Sequence, residues 1–199
     1  MKKENDLEKR IIEISKKYQL SHLSSCLTSV NIIDKIYKVK NENDIFILSS
    51  GHAGLALYCV LEKYYNINAE KLYKKHGVHP NKDLKNNILC STGSLGLGIT
   101  IAIGHALANK NKNVYCLISD GECAEGSIWE SLAFINEYSL SNIHIYVNCN
   151  GLSAYKTVDK DYLITRLKSF LPKINIIETN LDKFKFLNND LSSHYCKIK

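Results

Sequence analysis

Three short apolar runs in this 199-residue chain end in the same way, on small polar residues and a glycine. Asp44-Ile45-Phe46-Ile47-Leu48 leads into Ser49-Ser50-Gly51-His52. Val114-Tyr115-Cys116-Leu117-Ile118 leads into Ser119-Asp120-Gly121-Glu122. Ile143-His144-Ile145-Tyr146-Val147 leads into Asn148-Cys149-Asn150-Gly151. Runs of that length, apolar on successive residues, read as strands buried on both faces of a parallel sheet.

The stretches between them carry a helical period. Leu7, Ile11, Ile14 and Tyr18 share one helix face, and Val30, Ile33 and Tyr37 share another within 26–37. Further helices are predicted from Gly51 to about Tyr65, after Gly93-Ser94-Leu95-Gly96-Leu97-Gly98, over 125–138 and over 159–170. Residues 66–92 read as a long connection with a turn at His79-Pro80, and 174–177 as a fourth strand. Strands alternating with helices predict an α/β fold, a mainly parallel sheet flanked by helices on both faces. Residues 1–199 read as one domain. The tail after Asp182 has no functional reading.

Composition narrows the class. Hydrophobic residues make up 45 % and charged residues 23 %, which excludes a disordered tail or a pure coiled coil. No apolar run approaches the ~20 residues of a membrane helix. The charged start, Met1 to Asp6, leads into no signal-like apolar segment, so a cytoplasmic location is expected. The seven cysteines form no CxxC pair and read as reduced thiols, not as a disulfide frame or zinc site. The net charge of +6 is spread among acidic residues, as on a Lys-rich solvated surface. Nucleic acid is not an expected partner.

In such sheets ligands bind at the carboxyl ends of the strands. Asp120-Gly121 and Asn150-Gly151 follow successive strands, so both side chains can reach one crevice. A carboxylate and an amide oxygen are hard ligands suited to Mg²⁺, with Ca²⁺ possible, and diphosphate oxygens, a backbone carbonyl and water would complete the shell. Taken alone, the same residues serve equally as turn or cap residues.

Their surroundings favour the first reading. The string Ser119-Asp120-Gly121-Glu122 … Glu125-Gly126 … Trp129-Glu130 … Asn148-x-Asn150-Gly151 resembles the thiamine-diphosphate motif in its transketolase version. Phe46 to Ala53, His79-Pro80 and Thr92 to Gly98 resemble transketolase segments in the same order. The likeness covers about residues 20–158 and concerns the N-terminal, diphosphate-binding half of that family.

The resemblance implies the thiamine-diphosphate-binding fold, its diphosphate-binding domain, and a set of roles. Asp120, Asn150 and the Leu152 carbonyl would hold the metal. Gly121 and Glu122 would border the diphosphate, and His52 would donate to it from a helix start. Gly93 and Leu95 would meet the aminopyrimidine. His22 and His79 would be catalytic, lining the substrate channel and assisting proton transfer. Glu125 and Glu130 would lie at the subunit interface and link paired active sites. Thiamine diphosphate and Mg²⁺ are the implied cofactors.

The family's pyrimidine-binding domain has no counterpart here and is expected on a separate chain, with two copies of each chain. The implied reaction moves a two-carbon glycolaldehyde unit from a ketose phosphate to an aldose. A synthase of deoxyxylulose-phosphate type or a non-catalytic binding subunit is the alternative.

Three departures stand out. Ser119 replaces the family's Gly, where its Cβ would crowd the diphosphate or its hydroxyl bond to it. Asn148 replaces a common Asp, removing a charge beside the metal, and Val78 replaces a Gly. The family's later His-bearing loop has no match after Ile177, and Ser193-His194-Tyr195 does not fit it. A more open channel, or one completed by the partner, is therefore expected.

Overall fold

The strands of the computed structural model are β1 (Ile45–Leu48), β2 (Val114–Ser119), β3 (Ile143–Cys149) and β4 (Asn175–Glu178). They form one parallel sheet in the order β1-β2-β3-β4. The structure describes residues 6–153 and 156–187, with 190, 192, 196 and 197 beyond them. β1 and β2 are buried along their whole length, which is why their sequences are apolar on successive residues.

Alternate side chains enter two cores, because neighbouring residues of a strand point to opposite faces. Phe46, Leu48, Tyr115 and Leu117 face one core with α1 (Asp6–Tyr18), α2 (Leu23–Val39), α3 (Gly54–Tyr65) and α4 (Ala69–His76). Ile45, Ile47, Val114, Cys116 and Ile118 face the other, with α5 (Leu97–Ala108), α6 (Gly126–Glu137) and α7 (Lys160–Phe170). Helices on both faces of a parallel sheet are the architecture expected above.

α1 follows its apolar stripe. Leu7, Ile11 and Ile14 are buried, and full burial of such a side chain contributes roughly 1.5–3 kcal/mol. α2 begins earlier than its periodicity predicts, at Leu23, because thirteen of its residues are buried and polar Ser24, Ser25, Thr28 and Ser29 face the interior too. No helix among the described residues is long and apolar enough to cross a membrane.

The expected long connection at 66–92 contains α4. Asn68 caps it by accepting from the Lys71 amide, and Lys74, Lys75 and His76 occupy its last turn. Only Ala69 and Leu72 of α4 are buried, too few to mark a helix by period. The start of the tail has a definite place. Leu181, Phe184 and Leu187 are buried in the core of α1 to α4. Lys183 and Asn31 both donate to the fully buried Glu8 carboxylate. His194 lies outside the described residues.

The described cysteines are free, and Cys26, Cys59, Cys116, Cys123 and Cys149 are buried. Burial pushes the Cys26 thiol up to about 12, which keeps it protonated and inert.

Candidate active site

β2 and β3 pair in register through Ser119 and Asn148, so the loops that follow them leave the sheet side by side. Asp120 stands first in its loop, only 2 % exposed. Its Oδ2 accepts from the Gly151 amide at 2.6 Å and its Oδ1 from the Gly121 amide at 3.0 Å. Asn150 Oδ1 accepts from the Leu152 amide at 2.8 Å and shapes the second loop. Gly151 has φ +83, a conformation that glycine adopts without strain. A Cβ added to Gly121 would lie 3.8 Å from the Leu152 carbonyl oxygen, so that oxygen borders the Asp120-Gly121 turn.

The structure thus brings Asp120, Gly121, Asn150 and Leu152 together at adjacent strand ends. Burial pushes the Asp120 carboxyl up to about 6 despite its backbone donors. The groups hydrogen-bonded to it are neutral backbone amides. A buried carboxylate beside an amide oxygen and a backbone carbonyl is a donor set for a hard divalent cation. Among the described residues no cluster of three or more His, Cys, Asp or Glu side chains forms a metal cage by itself. A cavity of about 300 Å³ opens beside Asp120 and Gly121, bordered by Ser153, Lys156 and Arg166.

Three histidines from different elements converge near this edge of the sheet. His22 ends the α1–α2 turn with φ +64, His52 lies in the short 3-10 turn (Gly51–Ala53) before α3, and His79 lies in the loop after α4. The His22 ring lies 5.6 Å from that of His52 and 6.5 Å from that of His79, between centroids. His79 packs on the glycine loop: a Cβ on Gly93 would come within 3.1 Å of its ring. A Cβ on Gly51 would strike the Thr92 carbonyl group at 2.6 Å. The loops that carry His52, His79 and Gly93 are therefore packed backbone against backbone. Ser50 Oγ and Thr92 Oγ1, both in these loops, are buried with no hydrogen-bond partner, which leaves donors for a polar ligand. Leu95 is half-buried in the same glycine loop.

Three expectations change at this point. Glu122, grouped above with cofactor contacts, is fully buried and turned inward, bonded to Ser49, Gly96 and Ser119. Ser119 is buried at the end of β2, and its hydroxyl accepts from the Glu122 amide at 3.3 Å, so it is engaged within the fold. Asn148 also faces inward. Its Nδ2 donates to Thr28 Oγ1 (2.9 Å) and Ser29 Oγ (3.0 Å) on α2, and its Oδ1 accepts from Thr179 at 2.6 Å. Sequence reading missed these polar ties, since an Asn or Ser at a strand end does not announce which way it points.

Glu125 and Glu130 are exposed at the start and on the outer side of α6. Glu125 abuts the glycine loop, its Cβ 3.0 Å from where a Gly96 Cβ would be. Beside them α5 is apolar on its outer side as well, with Leu97 51 % and Leu107 43 % exposed. The remaining described histidines with ring contacts have structural partners: His76 bonds Asp83, and His144 bonds Asn113 and stacks on Tyr115.

Comparison with known proteins identifies the family. The family described as "Transketolase, thiamine diphosphate binding domain" matches residues 33–165. Human transketolase-like protein 2 is 34 % identical over 151 residues, 65 % of this chain and 24 % of that protein. A Phocaeicola vulgatus protein, one of the subunits of an apulose-4-phosphate transketolase, is 29 % identical over 172 residues, 76 % of this chain and 61 % of that protein. The crystal structure of Campylobacter jejuni transketolase superposes with a TM-score of 0.73 at 20 % identity, over 98 % of this chain and 41 % of that one. This chain thus spans about a quarter of the length of the human relative. With the sheet, the paired Asp120 and Asn150 loops and the matched residues in agreement, the chain belongs to the transketolase thiamine-diphosphate-binding domain family.

Proposed function

We propose that the chain is the diphosphate-binding part of a transketolase whose active site is completed by a pyrimidine-binding chain. The observation that carries this reading is the Asp120–Asn150–Leu152 oxygen set at the ends of β2 and β3, with His22, His52 and His79 gathered near the same sheet edge. Asp120, Asn150 and the Leu152 carbonyl would hold Mg²⁺, and Gly121 and His52 the diphosphate of thiamine diphosphate. The bound cofactor supplies the carbanion chemistry that cleaves and forms carbon–carbon bonds.

The chain's own residues bind, orient and move protons. His22 and His79 would donate to sugar hydroxyls and shuttle their protons, a task suited to imidazole near neutral pH. Gly93 and Leu95 would seat the aminopyrimidine. The ketose donor would pass a two-carbon unit to an aldose acceptor.

A partner chain is supported by the start of α5, where Leu97 is exposed next to the glycine loop that Glu125 abuts. The interior hydrogen bonds of Ser119 and Asn148 count against the non-catalytic alternative. The test is reconstitution: the chain is assayed alone and with a separately expressed transketolase pyrimidine-domain chain, with thiamine diphosphate, Mg²⁺ and ketose phosphates. Turnover only with both chains is the expected result. A stable complex that binds cofactor yet turns over no ketose phosphate would overturn the transketolase reading.

A further inference from the structure

Glu122 is 0 % exposed, and each oxygen of its carboxylate is bonded to a different part of the chain. Oε1 accepts from the Ser49 hydroxyl at 2.7 Å and from the Gly96 amide at 3.1 Å. Oε2 accepts from the Ser119 amide at 3.0 Å, with the Ser119 hydroxyl at 3.5 Å. Ser49 follows β1 and precedes Ser50-Gly51-His52. Gly96 lies in the glycine loop with Gly93 and Leu95. Ser119 ends β2 and precedes Asp120. One side chain therefore joins the three segments that bear the proposed diphosphate, aminopyrimidine and metal groups.

The surrounding backbone makes the tie rigid. Gly96 has φ +79, and a Cβ there would fall 2.2 Å from Ser127 Oγ. Its carbonyl accepts from that same hydroxyl at 3.1 Å, so both polar backbone groups of Gly96 are held. A Cβ on Gly98 would fall 2.4 Å from the Ser49 Cα. The glycines thus let these segments approach more closely than any residue with a side chain would allow. A buried carboxylate persists in such a place because every bond made to it comes from an amide or hydroxyl donor.

We infer that Glu122 is a positioning residue, whose buried carboxylate fixes the ends of β1 and β2 and the glycine loop relative to one another and so sets the spacing of His52, Gly93 and Asp120. The inference rests on the proposed cofactor site but depends on bonds within the chain itself. Glutamine is not an equivalent. Both carboxylate oxygens face an immovable backbone N–H, of Gly96 on one side and Ser119 on the other. Whichever way an amide turns, its NH₂ meets one of them donor to donor. Serine hydroxyls can rotate to adapt, but amides cannot. Catalytic geometry is sensitive to sub-ångström misplacement, so a modest local loosening is expected to register first in cofactor binding.

The experiment compares the full wild-type chain with Glu122→Gln and Ser49→Ala. Hydrogen exchange is followed for residues 49–52, 93–98 and 119–121, thermal stability is recorded, and thiamine diphosphate with Mg²⁺ is titrated calorimetrically into each chain reconstituted with the pyrimidine-domain chain. In Glu122→Gln, exchange in all three segments should rise by at least about tenfold while α1 to α4 keep their protection. The cofactor Kd should rise about tenfold or more. Ser49→Ala, which removes one donor and keeps the carboxylate, should show a smaller effect confined to 49–52 and 93–98, and it decides the matter if Glu122→Gln does not fold. Unchanged exchange in these segments overturns the inference, as does a lowered melting temperature with cofactor affinity unchanged. A wild-type chain that binds no cofactor even when reconstituted with the pyrimidine-domain chain overturns the functional reading instead, and the exchange pattern still decides the tie.

Discussion

Asn148 pairs with Ser119 across two neighbouring strands and Asp120 stands one residue beyond that pair, yet the side chains of Asp120 and Asn148 serve different ends. Asp120 holds the β3 loop through the Gly151 amide and offers a buried carboxylate whose donors are backbone amides. Asp120→Ala and Asn150→Ala should each weaken Mg²⁺-dependent thiamine diphosphate binding by at least about 100-fold, roughly 2.7 kcal/mol, by calorimetry. Asn148 behaves as a core residue. Thr28 Oγ1 already donates to the Ser24 carbonyl at 3.0 Å and receives a bond from Asn148. Asn148→Asp, which restores the family's usual residue, would bury a charge and lose that donor. It is expected to cost about 1–3 kcal/mol in denaturant unfolding while leaving cofactor affinity unchanged.

Among the elements, the loop from Gly77 to Thr92 depends most on polar bonds, since it has few buried apolar residues of its own. Asp83 is its anchor, accepting from Lys75 (2.6 Å), Asn86 (2.7 Å) and His76 (3.1 Å). The Lys75 ammonium, with Asn86, holds the Asp83 carboxyl down at about 2. An unfolded aspartate titrates near 3.9, roughly two units higher. The bonds therefore stabilise the loop fully above about pH 4 and are lost as pH falls through about 2. Hydrogen exchange of residues 77–92, corrected for intrinsic rate, should rise between pH 5 and pH 2.5, and Asp83→Asn should raise it already at pH 7. His79 rides on this loop, so the same variant should raise the KM for a sugar substrate more than it alters the cofactor Kd.

Across the whole molecule, the two cores are stabilised unequally by distant parts of the chain. The core of α1 to α4 includes residues from both ends of the sequence. Leu181, Phe184 and Leu187 are buried there, and Lys183 reaches Glu8. Phe184→Ala should cost about 3–5 kcal/mol, the usual penalty for emptying a buried aromatic site, and lower the melting temperature. Its effect on cofactor affinity should be small, because the strand-end loops lie on other contacts. A large fall in affinity with unchanged stability would show that the segment belongs to the site.

The sheet was legible in the sequence because each central strand is buried on both faces and so is apolar on successive residues. The loops that end β2 and β3 were legible because only certain residues, Asp-Gly and Asn-Gly, turn the chain there and offer hard oxygen ligands. α4 was not legible, since two buried residues leave no period to read. The inward facing of Glu122, Ser119 and Asn148 was not legible either. Their chemistry suits a ligand as well as it suits a neighbouring loop. Their partners, from Ser49 and Gly96 to Thr28 and Thr179, are distant in sequence. Residue type and spacing determined by themselves which strands and turns form. Which polar groups face a ligand and which tie the framework is decided only when the sheet brings distant loops together, because a hydrogen bond depends on direction and distance.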